Sequence, residues 1–301
     1  MRIAVTGGSG FIGSHVVDKM VSAGHDVVVI DHRVRPHRQD VEFIDTDVVD
    51  LASMLQAVEG CDHVFHLAAV SNVNHALQQP VYTVQINVLA TANVLEAARR
   101  SAVSRVHFAS TVWVYAGARA DGALTEDAPF YLPGAGHIYT SSKMAGEMIV
   151  HNYSELYGQP FTILRYGIPF GPRMRDELVI PRFVRMALAG EPITVHGDGS
   201  HFRNYVYVED LAAAHVLALS DKAENEVFNL EGAHPVTILD LVEALRDIIG
   251  DVTVRFESNR AGDYPGRTVS ADKVERVLGW RPTTPFAEGL RRYVEWYRSR
   301  S

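Results

Sequence analysis

Residues 2–13 read RIAVTGGSGFIG, an apolar run followed by four glycines within seven residues. The run at 2–6 is typical of a buried β-strand, and residues 14–23 have the apolar spacing of a helix that ends before Gly24. Gly8, Gly10 and Gly13 lie between these two elements, where they permit a tight turn whose backbone amides approach a pyrophosphate. The order strand, glycine loop and helix predicts a dinucleotide-binding unit.

A carboxylate follows the second predicted strand. Asp31 comes directly after the apolar run 26–30 and 18 residues after Gly13. A carboxylate at this place accepts hydrogen bonds from the adenosine ribose hydroxyls and repels a 2′-phosphate, which favours NAD over NADP. Arg33 is nearby, and an arginine can hold a 2′-phosphate, so NADP stays open at this point.

Apolar runs alternate with helical patterns through the first half of the chain. The predicted strands are 2–6, 26–30, 63–67, 105–110 and 161–166, and the predicted helices are 14–23, 51–58, 81–101 and 139–157. This alternation predicts an α/β fold with a Rossmann-like, doubly wound parallel sheet. Prolines interrupt the second half, which predicts a smaller mixed α/β substrate-binding domain. We expect the first domain to comprise 1–167 with about 204–232, and the second 168–203 and 233–301.

Composition excludes several classes of protein. The 301 residues are 47% hydrophobic and 21% charged, as in globular rather than fibrous or disordered chains. A net charge of −8 without a basic block argues against a nucleic-acid partner. No apolar run reaches the length of a membrane-spanning helix, and a start that enters a strand at once predicts no signal peptide. The single cysteine, Cys61, suits a cytoplasmic location. The 14 histidines show no metal-ligand spacing.

A tyrosine and a lysine share one face of the predicted helix 139–157. Tyr139 and Lys143 are four residues apart, so an ammonium would lie one helical turn from a phenol. A nearby positive charge favours the phenolate, which makes a tyrosine a usable acid and base at neutral pH. Lys143 is the only lysine between positions 20 and 221. Ser110 and Thr111 end a predicted strand, at the edge where parallel sheets bind ligands.

These features belong to a longer series of motifs. Among them are TGGSGFIG at 6–13, HLAA at 66–69, STVWVY at 110–115, YTSSK at 139–143, RYGIPFGP at 165–172, DGSHFRNYVYVEDL at 198–211 and RAGD at 260–263. Through these motifs the chain resembles the extended short-chain dehydrogenase/reductase family, and within it the nucleotide-sugar epimerase/dehydratase branch. The resemblance extends over essentially the whole sequence.

The resemblance implies roles for individual residues. Catalysis would fall to Tyr139 as acid and base, Lys143 on the nicotinamide ribose and Thr111 on the reacting sugar oxygen. The implied NAD-binding residues are Gly7, Gly10, Phe11, Ile12, Gly13, Asp31, His32, Asp47, Val48, Leu67, Ala68, Ala69, Asn87, Tyr139, Lys143 and Tyr166. The implied sugar-nucleotide residues are Ser71, Thr111, Tyr139, Arg175, Val179, Phe183, Arg203, Arg260 and Asp263. Ile168 departs from the asparagine that is frequent in the family, so sugar specificity cannot be carried over there.

The residues after Thr111 bear on the reaction. Related dehydratases and decarboxylases carry an acid there, whereas this chain has Val112 and Trp113, which cannot transfer protons. The sequence thus favours 4-epimerisation of a UDP-sugar of the UDP-glucose/UDP-galactose type. The alternatives are a UDP-glucuronate 4-epimerase with Arg175 near the carboxylate, another nucleotide-sugar epimerase or 4-ketoreductase, and a dinucleotide sensor without activity.

The resemblance also implies a homodimer. The two long predicted helices, 81–101 and 139–157, carry apolar residues beyond one face, and a pair from each subunit would form a four-helix interface. Val84, Val88, Met144 and Met148 are the residues expected there.

Overall fold

The computed structural model describes residues 1–32, 34–118, 122–258 and 268–300. The chain divides into two compact units. The first comprises Met1–Tyr166, Ala212–Leu230 and Val269–Trp280, and the second comprises Gly167–Leu211, Glu231–Thr268 and Arg281–Ser301.

The strands and helices follow one another as the glycine loop and the alternating pattern indicate. The strands are β1 (Arg2–Thr6), β2 (Asp26–Asp31), β3 (Glu42–Asp45), β4 (His63–His66), β5 (Arg105–Thr111), β6 (Phe161–Tyr166), β7 (Ile168–Phe170), β8 (Ile193–His196), β9 (Phe202–Arg203), β10 (Tyr205–Tyr207), β11 (Glu226–Leu230), β12 (Val236–Thr237) and β13 (Val254–Glu257). The helices are α1 (Phe11–Ser22), α2 (Leu51–Ala57), α3 (Val73–Gln78), α4 (Pro80–Val84), α5 (Ala90–Arg100), α6 (Ile138–Tyr157), α7 (Val179–Leu188), α8 (Val208–Leu217), α9 (Ile238–Ile249), α10 (Asp272–Leu278) and α11 (Phe286–Ser299).

The first unit is built on a seven-stranded sheet in the order β11-β6-β5-β4-β1-β2-β3. Every pairing in it is parallel. The order runs outward from β1 in both directions, as in a doubly wound Rossmann fold, which confirms the predicted fold class. The carboxyl ends of β1, β4, β5 and β6 therefore meet at one edge of the sheet, where the predicted catalytic and cofactor residues follow them.

Both faces of this sheet are covered by apolar side chains. Ile3 and Val5 pack with Val16 and Met20 of α1 in one cluster. Ala4, between them, belongs to a second cluster that includes residues of α2 and α5. Because neighbouring residues of a strand point to opposite faces, a strand covered on both sides must be apolar throughout, which explains the unbroken runs in the sequence.

The predicted helix 81–101 is interrupted. Its place is taken by α4, a π-helical turn at Gln85–Leu89 and α5. The π-helical turn contains the buried residue Asn87. A wider turn of this kind shifts the side chains that follow and is frequent at functional sites.

The unit boundaries depart from the predicted domains in two places. Residues 204–211 were expected with the sheet domain, but β10 pairs with β7 and lies in the second unit. Residues 269–280 were expected in the second domain, but Lys273 forms a 2.7 Å ion pair with Glu226 of β11 in the first unit.

Among its described residues, the second unit contains three pairs of strands. They are β7 with β10, β9 with β12, and β8 with β13. The unit also contains α7, α9 and α11. Across the described residues, the structure has no helix that is both long enough and apolar enough to cross a membrane.

Candidate active site

The glycine loop joins β1 to α1 in a compact turn. Gly7 has a φ of 69°, a conformation that favours glycine, and a Cβ on it would lie 2.7 Å from the Ala68 nitrogen. A Cβ on Gly13 would collide with the Gly7 carbonyl oxygen. The loop is fixed by the Gly10 amide, which donates to the Gly7 oxygen at 3.0 Å. Glycines are therefore required at 7 and 13 by sterics.

The amino end of α1 fits a pyrophosphate. Gly10 occupies the N-cap position and supplies no side-chain cap to the first-turn amides, which Phe11, Ile12 and Gly13 carry. Unsatisfied amides at a helix N-terminus, together with the helix dipole, bind phosphate groups. The loop therefore fits the dinucleotide predicted from the sequence.

Asp31 ends β2 beside this loop. Its carboxylate accepts a hydrogen bond from the Ser9 amide at 3.0 Å and another from the His32 amide at 2.8 Å. Burial raises the pKa of Asp31, and the two amide bonds act in the opposite direction. His32 lies 3.6 Å from Asp45, and Arg33 lies outside the described residues. The Asp31 carboxylate is thereby fixed beside the glycine loop, and its contact with the ribose stays a prediction.

The segment after β3 provides the next two predicted residues. Asp47 accepts a hydrogen bond from the Val49 amide at 3.1 Å, and Val48 is buried in the core. Any contact of Val48 with a cofactor would therefore involve its backbone rather than its side chain.

The segment after β4 is anchored by Asn87. The Leu67 amide donates to the Thr6 oxygen, and Ala69 follows in the same partly buried stretch. Asn87 accepts from the Val70 amide at 2.8 Å and donates to the Val70 oxygen at 3.0 Å. Its amide also donates to Ser142 of α6 at 2.9 Å. Asn87 thus holds the segment that carries Leu67, Ala68, Ala69 and the exposed Ser71 against the helix that carries Tyr139.

Lys143 is fully buried against the end of β5. Its Nζ donates to the Ala109 oxygen at 2.8 Å and lies 4.9 Å from the centre of the Phe108 ring. Burial lowers the pKa of Lys143 to about 8, while the negative charge of Glu147 acts in the opposite direction. The lysine is thus a cation with a perturbed pKa, as is typical of functional sites.

Thr111 is two residues beyond Ala109 and begins the 3₁₀ turn at Val112–Tyr115. Its hydroxyl is buried and accepts a hydrogen bond from the Trp113 amide at 3.2 Å. A hydroxyl that accepts one bond retains its own proton to donate. The Lys143 bond to Ala109 therefore brings the Tyr139 helix to the strand end that carries Thr111.

Tyr166, at the end of β6, also lies near Tyr139. Its hydroxyl is 2.6 Å from Nε2 of His215 in α8. Burial, and to a smaller extent the charge of a Tyr139 phenolate, raise the pKa of Tyr166 well above its ordinary value. Tyr166 is therefore a neutral phenol beside the predicted acid and base.

A buried ion pair behind these residues was not predicted from the sequence. Glu147, one turn beyond Lys143, binds the guanidinium of Arg165 through bonds of 2.7 to 3.2 Å and accepts a short hydrogen bond from Ser110. Arg165 also donates to the Tyr115 hydroxyl at 2.6 Å. The local sequence could indicate only that Glu147 lies one helical turn from Lys143. The residues that Glu147 binds, Ser110 and Arg165, are distant in the sequence.

The second unit carries the remaining predicted residues. Arg175 lies 3.7 Å from Glu177, and Arg203 in β9 donates to the Phe202 oxygen at 2.7 Å. Val179 is the first residue of α7. Phe183 lies one turn further along the same helix and is 2% exposed. The Phe183 ring is enclosed by protein, so this predicted substrate residue is part of the core. Arg260 and Asp263 lie outside the described residues.

Comparison with known proteins places this geometry in a family. The model of the NAD dependent epimerase/dehydratase family matches residues 3–230. UDP-N-acetyl-α-D-glucosaminuronate decarboxylase of Bacillus cytotoxicus is 30% identical over 317 residues, which cover 99% of this chain and 98% of that protein. Among solved structures, a UDP-glucose 4-epimerase from Thermotoga maritima with UDP-glucose has a TM-score of 0.92 at 31% identity and covers 100% of this chain and 99% of its own.

Another solved structure, MoeE5 in complex with UDP-glucuronic acid and NAD, has a TM-score of 0.89 at 31% identity, with 100% of both chains covered. The relatives at about 30% identity thus include epimerases, dehydratases and decarboxylases. The chain belongs to the NAD dependent epimerase/dehydratase family, and its cofactor is NAD, as the sequence predicted.

Proposed function

We propose that the chain is a UDP-sugar 4-epimerase of the UDP-glucose/UDP-galactose type. The observation that carries the proposal is the combination of Tyr139, buried Lys143 and Thr111 with two residues, Val112 and Trp113, that hold no exchangeable acid. These residues can transfer a proton at one sugar hydroxyl, but they include no acid that could protonate a second hydroxyl and so expel it as water.

Each residue has one task in the reaction. Tyr139 removes the proton from O4 of the sugar and later returns it. Lys143 holds the nicotinamide ribose, and its ammonium favours the phenolate. The Thr111 hydroxyl donates a hydrogen bond to O4 and keeps its proton, which holds the oxygen in place for proton transfer to Tyr139. When bound, NAD supplies reversible hydride exchange with C4.

The configuration at C4 is inverted when the oxidised sugar rotates in the site before it is reduced again. Once C4 is a ketone, both of its faces can accept a hydride, so a sugar that rotates in the site is reduced to the other epimer. The residues after Thr111 keep the reaction to this cycle, because neither an isopropyl group nor an indole can protonate a leaving hydroxyl.

The nucleotide end of the substrate is assigned to the second unit. In this proposal Arg203 binds the diphosphate and Val179 contacts the uridine, and Arg260 and Asp263 are the other residues that the family resemblance implies. Phe183 contributes to the core around this segment. We further propose a homodimer, and a cytoplasmic location consistent with the single cysteine.

The direct test incubates the purified protein with UDP-glucose, UDP-galactose and the corresponding dTDP- and GDP-sugars, and identifies products by NMR and mass spectrometry. We expect a 4-epimer of unchanged mass and NAD that stays with the protein through many turnovers. A dehydrated sugar or a UDP-pentose as the main product would refute the epimerase assignment. Stoichiometric release of oxidised cofactor would instead indicate a 4-ketoreductase.

A second candidate substrate is UDP-glucuronate. Arg175 is a partly exposed cation whose partner in the structure is a carboxylate, Glu177, at 3.7 Å, so it can also bind a substrate carboxylate. MoeE5, to which the chain is similar, was solved with UDP-glucuronic acid and also with UDP-glucose, so this similarity is compatible with either sugar. Comparison of kcat/KM for UDP-glucose and UDP-glucuronate in wild type and Arg175→Ala distinguishes the two. Unchanged uronate turnover in the variant would exclude the carboxylate role.

A further inference from the structure

His137 occupies the N-cap of α6, the helix that carries Tyr139 and Lys143. Its Nδ1 accepts a hydrogen bond from the Thr140 amide at 3.2 Å and lies 3.1 Å from the Thr140 hydroxyl. Thr140 is completely buried, and its amide belongs to the first turn, where no helical carbonyl is available. The imidazole therefore satisfies a buried donor that would otherwise be unpaired.

This contact determines the ionisation of the ring. A backbone amide can only donate, so Nδ1 must be unprotonated for the cap to exist. The capping form is consequently the neutral imidazole with its proton on Nε2. A second proton would place Nδ1–H against the Thr140 N–H and break the cap. Serine, threonine, asparagine and aspartate, the usual cap residues, do not lose their acceptor in this way near pH 6.

The same ring contacts the predicted acid and base. The imidazole centre is 6.1 Å from the centre of the Tyr139 ring and 5.5 Å from that of Trp113. Tyr139 is two residues beyond the cap, in the first turn, so its backbone direction depends on how that turn is fixed. His137 thus supports the turn through Nδ1, and its ring lies beside the phenol ring at an interplanar angle of 30°.

We propose that His137 is a positioning residue for Tyr139, which it holds by capping α6 in the neutral form, and that its protonation disengages the cap and lowers turnover. The inference rests on the epimerase assignment, because it presumes that Tyr139 is the acid and base.

The surroundings of the ring favour this behaviour. In the part of the chain that the structure describes, the titratable group in ring contact is Tyr139, and the 3₁₀ turn presents the uncharged Trp113. Burial lowers the pKa of His137, a backbone hydrogen bond of the residue itself acts in the opposite direction, and no neighbouring charge contributes. The neutral cap is therefore the state at pH 7, and it is lost as the pH falls through a pKa that lies below the ordinary histidine value.

The experiment compares kcat and KM across pH 5–8 for wild type, His137→Ala, His137→Ser and His137→Asn. We expect His137→Ala to lower kcat roughly tenfold, because misplacement of a reacting group is costly even when it is small. Serine and asparagine should restore most of kcat and remove the acid loss that begins below about pH 6.5 in the wild type. Asp50→Ala, which removes the cap of α2, should change stability without changing this pH profile.

Two results would overturn the proposal. In one, His137→Ser is as impaired as His137→Ala, so the ring rather than the cap is needed. In the other, the acid limb persists in His137→Ser. NMR of the imidazole in cofactor-free protein gives a readout without activity: we expect the Nε2–H tautomer and titration below the ordinary 6.5. An Nδ1–H tautomer contradicts the cap. Absence of epimerisation by wild type would refute the proposed function and leave this NMR result to decide the cap.

Discussion

At the scale of single residues, the site depends on two side chains with opposite environments. Tyr139 is partly exposed, as a group that meets substrate must be, whereas Lys143 is 4% exposed and bonded to the Ala109 carbonyl. A buried lysine is held in one place, so its charge reaches the phenol from a fixed direction. Residue type and spacing predicted this pair, but the burial of Lys143 emerged only from the structure.

The phenol hydroxyl of Tyr139 is the group that the mechanism cannot replace. Tyr139→Phe keeps the ring and its contact with His137 but removes the proton carrier, so we expect turnover to fall roughly 10²–10⁴-fold. Steady-state kinetics with UDP-galactose measure the loss, and thermal unfolding shows that the fold is retained. Tyr131→Phe, an exposed tyrosine, is the control. Near wild-type turnover in Tyr139→Phe would rule out its role as acid and base.

The ionisation of Lys143 predicts an alkaline limit to activity. Burial lowers its pKa from 10.5 to about 8, so the ammonium is present below that pH and is lost as the pH rises through it. The chain has four lysines, which makes ¹⁵N NMR of the side chains in cofactor-free protein tractable, and Lys143→Arg identifies the signal. We expect a midpoint near 8. Titration of Lys143 near 10.5 would show that the site is more hydrated than the structure indicates.

At the scale of elements, Glu147 and Arg165 tie α6 to the ends of β5 and β6. Both are buried, with 1% and 5% of their side chains exposed, so removal of either leaves an uncompensated charge. Glu147→Ala should destabilise the fold by about 3–5 kcal/mol. Urea unfolding gives the free energy.

The matched control is Glu243→Ala in α9. Its ion pair with Arg246 is similarly short, at 2.6 Å, but exposed, and an exposed pair contributes at most about 1 kcal/mol. Equal losses in the two variants would mean that burial of the Glu147 pair has no energetic consequence. The double variant Glu147→Leu with Arg165→Met should recover much of the loss, since it removes both charges together.

Elements with strong local patterns were predictable from sequence, and those made by tertiary contact were not. β1 and β2 contain unbroken apolar runs at 3–5 and 27–30, and the glycine loop marks where β1 passes into α1. β3, in contrast, has only two apolar residues, between Glu42 and Asp45, and its strand conformation depends on pairing with β2. The π-helical turn at Asn87 has no periodic signature in the sequence either. It is associated with the hydrogen bonds of Asn87 to Val70 and Ser142, which are tertiary contacts that the local sequence does not encode.

The same reasoning applies to the candidate site. Tyr139, Lys143 and the glycines could be found because their chemistry requires a fixed local spacing. Glu147 could not, because its partners Ser110 and Arg165 are 37 and 18 residues away in the sequence. Phe183 was placed at a ligand by its motif, but local sequence does not report that its ring is enclosed.

At the scale of the whole molecule, apolar side chains remain exposed on helices of the first unit. Among them are Leu77, Val81, Tyr82, Val84, Leu89 and Met148, each at least 45% exposed. Met144, which was expected among them, is 2% exposed and packs with Val114 and Tyr115 in the core. The proposed interface is therefore narrower on α6 than the sequence predicted, because only one of its two methionines is available.

Exposed apolar groups on neighbouring helices are what a homodimer would bury. We expect light scattering to give twice the 33.3 kDa chain mass at micromolar concentration. A double variant, Val81→Glu with Met148→Glu, should give the monomer mass, because two charges per subunit would be desolvated in the interface. Leu239→Glu, at a 40% exposed site on α9 in the second unit, is the control and should leave the mass unchanged. A wild-type monomer would reject the dimer, and a double variant that stays dimeric would move the interface away from these helices.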